Sequence, residues 1–160
     1  MFVPFDQLPE DSRIWIYQSS RKFTEEEVVA ITTSLTQFLN HWNAHGTPLE
    51  CSFVLKYNRF LILAVNQNVQ AASGCAIDSS VAFIQKLEQQ FEVDLLDKMN
   101  VAFKQGEFIT YKTLLDFKKL VKDKSVSEHT IVFNNLVNTI EEWKDSWEVP
   151  ASESWHSRFF

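Results

Sequence analysis

Cys51-Ser52-Phe53-Val54-Leu55-Lys56-Tyr57-Asn58-Arg59-Phe60-Leu61-Ile62-Leu63-Ala64-Val65 is the stretch that decides the fold class. Its first half alternates in the manner of a half-buried strand, and Phe60 to Val65 is apolar at every position. Between the halves, Asn58-Arg59 reads as a two-residue turn, although it lacks the glycine of the strongest hairpin signals. An antiparallel strand that is apolar on both faces needs cover on both faces.

Upstream, Arg13 to Tyr17 is β-branched and aromatic, a first strand. Thr24 with Glu27 forms a capping-box signature, and Glu25, Glu26 and Glu27 sit where the helix dipole favours acids. Val28, Ile31, Leu35, Phe38 and Trp42 then recur at helical spacing until Gly46 and Pro48 end the run. Downstream, Ile77, Val81, Ile84, Leu87 and Phe91 mark a second helix. Val101-Ala102-Phe103 and Phe108 to Tyr111 flank Gln105-Gly106 as a hairpin. The order strand, helix, strand, strand, helix, strand predicts an α+β fold with a ferredoxin-like βαββαβ core and an antiparallel sheet over residues 13–104.

The rest of the chain extends that core. Thr113 with Asp116 caps a third helix, Thr130 to Val137 fits a strand or a helix, and Thr139 with Glu142 starts a short helix ending near Trp147. Ala151 to Phe160 forms an aromatic tail. The expectation is a single domain, 1–160, with an α+β core at 13–111 and C-terminal helices and a docked tail at 112–160. That extension, with Trp143, Trp147 and Trp155, or else a partner subunit, is the expected cover for the second face of the 60–65 strand.

Composition narrows the function classes. A net charge of −6 with 45% hydrophobic residues describes a folded chain with little nonspecific affinity for nucleic acid or anionic membrane. Lys112, Lys118, Lys119, Lys122 and Lys124 gather around the third helix, but Asp116 and Asp123 interrupt them, which fits a solvated face. Arg59-Phe60-Leu61-Ile62-Leu63 lacks the glycine-bearing aromatic motif of RNA-binding sheets. Met1-Phe2-Val3-Pro4-Phe5-Asp6 has neither a basic n-region nor a long apolar core, so no signal peptide is expected. Two cysteines make no disulfide framework, and a cytoplasmic protein with free thiols is expected.

Three places carry chemistry. Ala71-Ala72-Ser73-Gly74-Cys75-Ala76-Ile77-Asp78-Ser79-Ser80 joins the apolar strand to the second helix. There Cys75 is a candidate nucleophile, with Asp78 or His156 as its assistant. Alternatively, Ser73, Gly74 and Ser79 offer an anion pocket that Arg158 completes. The same residues also make an ordinary helix start, with Asp78 or Ser79 as N-cap, Gly74 at positive φ and Cys75 as a small buried side chain. His41 and His45 have the spacing of two ligands on one helix face, with Cys51 nearby. Histidines near a helix end more simply serve its carbonyls and dipole, and no metal or other cofactor is expected. His156 and Arg158 belong to a tail whose aromatics predict docking on the body.

Taken together, MFVPFDQLPEDSRIWIYQS, AASGCAIDSS, DLLDKMNVAFKQGEF, VFNNLV and WEVPASESWHSRFF resemble a family of small uncharacterised Bacteroidetes proteins, along essentially the whole chain. Members often carry the label "ABC transporter ATPase". Such an ATPase needs a glycine-rich loop ending in Gly-Lys-Ser/Thr. Neither Gly46, Gly74 nor Gly106 is followed by lysine, so there is no P-loop, and the resemblance brings no catalytic residue with it. The expected function is a non-catalytic binding or interaction module, with a second copy or another protein as partner. A thiol-dependent enzyme and a small-anion binder at the 71–80 turn remain open.

Overall fold

In the computed structural model, which describes residues 1–160, the chain divides between Leu96 and Asp97 into two units, each with its own sheet. The first holds β1 (Arg13–Gln18), α1 (Glu25–His41), a short ribbon of β2 (Asn43–Ala44) and β3 (Thr47–Pro48), β4 (Cys51–Lys56), β5 (Phe60–Val65) and α2 (Gly74–Phe91). Its sheet has the order β1-β5-β4 with both pairings antiparallel. Strand β5 therefore lies between β1 and β4, which are parallel to each other and joined through α1. Leu61 and Leu63 pack with Ile31 and Leu35 of α1 and Ile84 and Leu87 of α2. The alternate residues Phe60, Ile62 and Ala64 are equally buried, so the apolar run of β5 is covered on both faces.

Both long helices begin on a side-chain cap. The Thr24 hydroxyl accepts from the Glu27 amide at 3.2 Å, and the Glu27 carboxylate accepts from the Thr24 amide at 2.9 Å. Arg21 grips that carboxylate with two bonds of 2.8 Å and donates a third, of 2.7 Å, to the carbonyl of Phe91 at the end of α2. One guanidinium thus ties the start of α1 to the last turn of α2. The Arg21 bonds and the Thr24 amide hold the Glu27 carboxyl down to a pKa of about 2.

The second unit contains β6 (Asn100–Gln105), β7 (Phe108–Thr113), α3 (Leu114–Lys122), β8 (Ile131–Phe133), α4 (Ile140–Ser146) and β9 (Glu148–Pro150). Two 3-10 turns, Ala151–Glu153 and Trp155–Phe159, complete it. The sheet order is β7-β6-β8-β9, antiparallel throughout. Thr113 and Thr139 cap α3 and α4 as their spacing predicts. The aromatic tail packs inside this unit, where Trp155 and Phe159 lie against Val101, Phe103, Phe117 and Val132.

The chain is α+β with antiparallel sheets, but the expected four-stranded ferredoxin-like sheet does not close. Residues 101–104 form β6, which pairs with β7 and β8 rather than beside β1. The hairpin with β7 and the return of β8 offer β6 partners on both edges, and element order alone cannot weigh those against β1. The ambiguous 130–137 segment is a strand at 131–133 followed by a turn.

Smaller differences follow from turn chemistry. In the β4–β5 connection, Tyr57 and Asn58 take φ of 56° and 52°, and the Arg59 amide donates to the Lys56 carbonyl at 3.1 Å. The bend is therefore centred one residue earlier than expected, where left-handed conformations match the twist of the flanking strands. Likewise α1 stops at His41, because residues 43–48 form a ribbon whose tip, His45-Gly46, has φ of 51° and 80°.

Candidate functional site

The end of α1, the β2–β3 ribbon and the start of α2 enclose an open cleft of about 710 Å3, wholly within the first unit. Helix α1 contributes Ser34, Gln37, Phe38 and His41, and the ribbon region contributes Trp42, Asn43 and His45. Helix α2 contributes Ser73 (its cap), Cys75, Ala76, Ser79 and Phe83. The two helices run antiparallel here, since Phe38 meets Phe83 while Trp42 reaches back to Ala76.

That crossing explains the local geometry. The buried Trp42 indole donates to the Ala76 carbonyl at 2.8 Å, locking the ribbon to the first turn of α2. Phe38 stacks on Phe83 with ring centroids 4.7 Å apart and planes 17° apart, and lies 5.7 Å from Trp42. Phe38 and Phe83 stay half-buried, so the wall of the cleft is aromatic and reachable from solvent.

The first turn of α2 differs from its expected form. Ser73 is the N-cap, its hydroxyl accepting from the Ala76 amide at 3.1 Å. Gly74 is the first helical residue and has no positive φ, and Cys75 is exposed rather than buried. Ser73 outcompetes Asp78 and Ser79 as cap because its hydroxyl reaches the amide three residues on and so adds a turn to the helix. Ser79 lies inside the helix and donates to the Ala76 carbonyl at 2.8 Å, while Asp78 is exposed and does not line the cleft.

The cleft thus unites two motifs that are separate in sequence, Ser73, Cys75 and Ser79 of the turn and His41 and His45. The histidines do not share a helix face, because α1 ends at the first and the second occupies the ribbon tip. Cys51 is buried, its thiol 3.4 Å from the Leu39 carbonyl, and burial pushes that thiol up to about 11. It is a core residue rather than a ligand. Cys75 has no hydrogen-bonding partner within the chain, so no base is held against its sulfur.

His156 and Arg158 belong to the second unit and are engaged there. The His156 ring is 1% exposed, stacks on Trp155 at 3.9 Å, and shares a 2.7 Å hydrogen bond between Nδ1 and the Ser154 hydroxyl. Burial pulls its pKa down to about 4. The Arg158 guanidinium lies 6.0 Å from the Trp155 ring.

Phe38, Trp42 and Phe83 are the lining residues that periodicity conceals, since the first two read as helix core and the third falls off the apolar stripe of α2. The helix-to-ribbon break at His41 is what turns them toward a cleft. No helix is long and apolar enough to cross a membrane. No family model matches the chain, and neither the curated proteins nor the solved structures give a match.

Proposed function

We propose that the chain is a non-catalytic cytoplasmic binding module that takes a small ligand in the α1–α2 cleft. The cleft itself carries this reading: its volume falls within the range of small-molecule sites, and it has an aromatic wall and a rim of hydroxyl, amide and imidazole groups. The family resemblance stands beside it without the ATPase label, because no P-loop is present. The first unit reads as a ferredoxin-like arrangement without its fourth strand, with the cleft where its two helices cross. A second copy or another protein remains the proposed macromolecular partner.

A second reading rests on Cys75, exposed in the same cleft as His41 and His45, as the nucleophile of a thiol-dependent enzyme. Two variants separate the readings. Compounds from a small-molecule library that raise the melting temperature are expected to keep that effect in Cys75→Ser and to lose it in Phe38→Ala. Turnover of a library compound that disappears in Cys75→Ser would overturn the binding reading in favour of the enzyme.

A further inference from the structure

None of the chain's 15 lysines and arginines or 21 aspartates and glutamates lines the cleft, although these residues make up 22% of the sequence. Its polar groups are hydroxyls (Ser34, Ser73, Ser79), amides (Gln37, Asn43), one thiol and two imidazoles. Hydroxyls and carboxamides both donate and accept hydrogen bonds. A charged ligand would lose hydration here without meeting the full charge of a Lys, Arg, Asp or Glu side chain, only the helix start and the imidazoles, whereas an uncharged one makes no such demand. The wall beside these groups is the Phe38–Phe83 stack, two half-buried rings with nearly parallel planes. A flat ring is the shape that extends such a stack, since offset-stacked and edge-on rings gain beyond their buried area.

Resting on the binding reading above, we infer that the ligand is an uncharged heteroaromatic ring with both hydrogen-bond donors and acceptors, seated against Phe38 and Phe83. Ring nitrogens and an exocyclic amide or carbonyl would meet Gln37, Asn43 and Ser79, and the ring face would cover the aromatic wall. His41 and His45 stand at the exposed rim, where their ring nitrogens are within the polar edge of the cleft.

Four probes of similar size and differing chemistry test this: nicotinamide (neutral), nicotinate (anionic), 1-methylnicotinamide (cationic) and cyclohexanecarboxamide (neutral but not flat). Each is titrated into the full chain and followed by amide and indole NMR shifts. Nicotinamide is expected to move the resonances of Phe38, Trp42, Cys75 and Phe83 and to bind at least tenfold more tightly than the other three. Phe83→Leu, which keeps an apolar side chain in place, is expected to weaken nicotinamide at least fivefold while the chain stays folded, as amide resonances outside the cleft report. Equal or tighter binding of either charged probe or of cyclohexanecarboxamide overturns the inference, as does full binding by Phe83→Leu. If all four leave the cleft resonances still while an unrelated compound moves them, the ring inference fails and the binding reading stands. If no compound of any class moves them, both fail.

Discussion

Acid should destabilise the second unit through a single side chain. His156 is 1% exposed, and burial lowers its pKa from 6.5 to about 4. The unfolded chain therefore takes up a proton that the folded unit refuses between those values, and in that window acid favours unfolding. Stability is fully present above pH 6.5, falls as the pH drops toward 4, and then stops changing on this account. A shift of this size corresponds to about 3 kcal/mol. Glu27, whose own loss begins below pH 4.5 because its carboxyl is held down to about 2, lies in the other unit and contributes equally to the natural chain and the variant, so it cancels from the difference. The assay is urea unfolding at pH 7, 5.5 and 4, followed through the amide resonances of Phe103 and Val132, for the natural chain and His156→Gln. The natural chain should lose about 3 kcal/mol more than the variant between pH 7 and pH 4. Parallel pH dependence in both, or an imidazole that titrates near 6.5 in the folded protein, would refute the reasoning.

Other substitutions probe the first unit. Arg21→Ala removes both bonds to Glu27 and the cap on Phe91; because the guanidinium side chain is 43% exposed, a loss of about 1 kcal/mol in chemical denaturation is expected, not the value of a buried pair. Ser73→Ala should cost about 1 kcal/mol by removing the cap of α2, with faster amide exchange at Ala76 as its local signature. His45→Gly relieves a left-handed histidine at the ribbon tip and should stabilise the unit by about 1 kcal/mol; a melting temperature that falls instead would mean the imidazole makes contacts that offset its strain.

The elements that announce themselves by local chemistry were legible in the sequence. Thr24 with Glu27, Thr113 with Asp116 and Thr139 with Glu142 mark helix starts because a hydroxyl reaches an amide three residues on, whatever the tertiary setting. The apolar run of β5 likewise gave its two-sided burial. Sheet membership was not legible, because β6 can satisfy its backbone beside β1 or between β7 and β8, and element order does not rank the two. Left-handed Tyr57-Asn58 and His45 were hidden for a different reason: a residue other than glycine takes that conformation where its tertiary setting, here a tight connection between paired strands, imposes it, and no local sequence signal marks the position.

The candidate site was half legible. Ser73 and Cys75 stood out because a small polar stretch follows an apolar strand, and His41 and His45 because of their spacing. Nothing in one dimension joined the two motifs; the antiparallel crossing of α1 and α2 does that, through Trp42 and the Phe38–Phe83 stack. His156 illustrates the converse. Its place in a tail rich in chemical groups suggested a partner for Cys75, yet the ring is held between Ser154, Trp155 and Phe117 in its own unit.

A small-molecule fragment screen by two-dimensional amide and indole NMR, on the full chain, tests the central claim most directly. Shifts concentrated in residues 34–45 and 73–83, with the Trp42 indole N–H among them and the second unit unmoved, are the predicted result. Fragments that leave those resonances in place, or that gather on another surface, would contradict a binding function for the cleft.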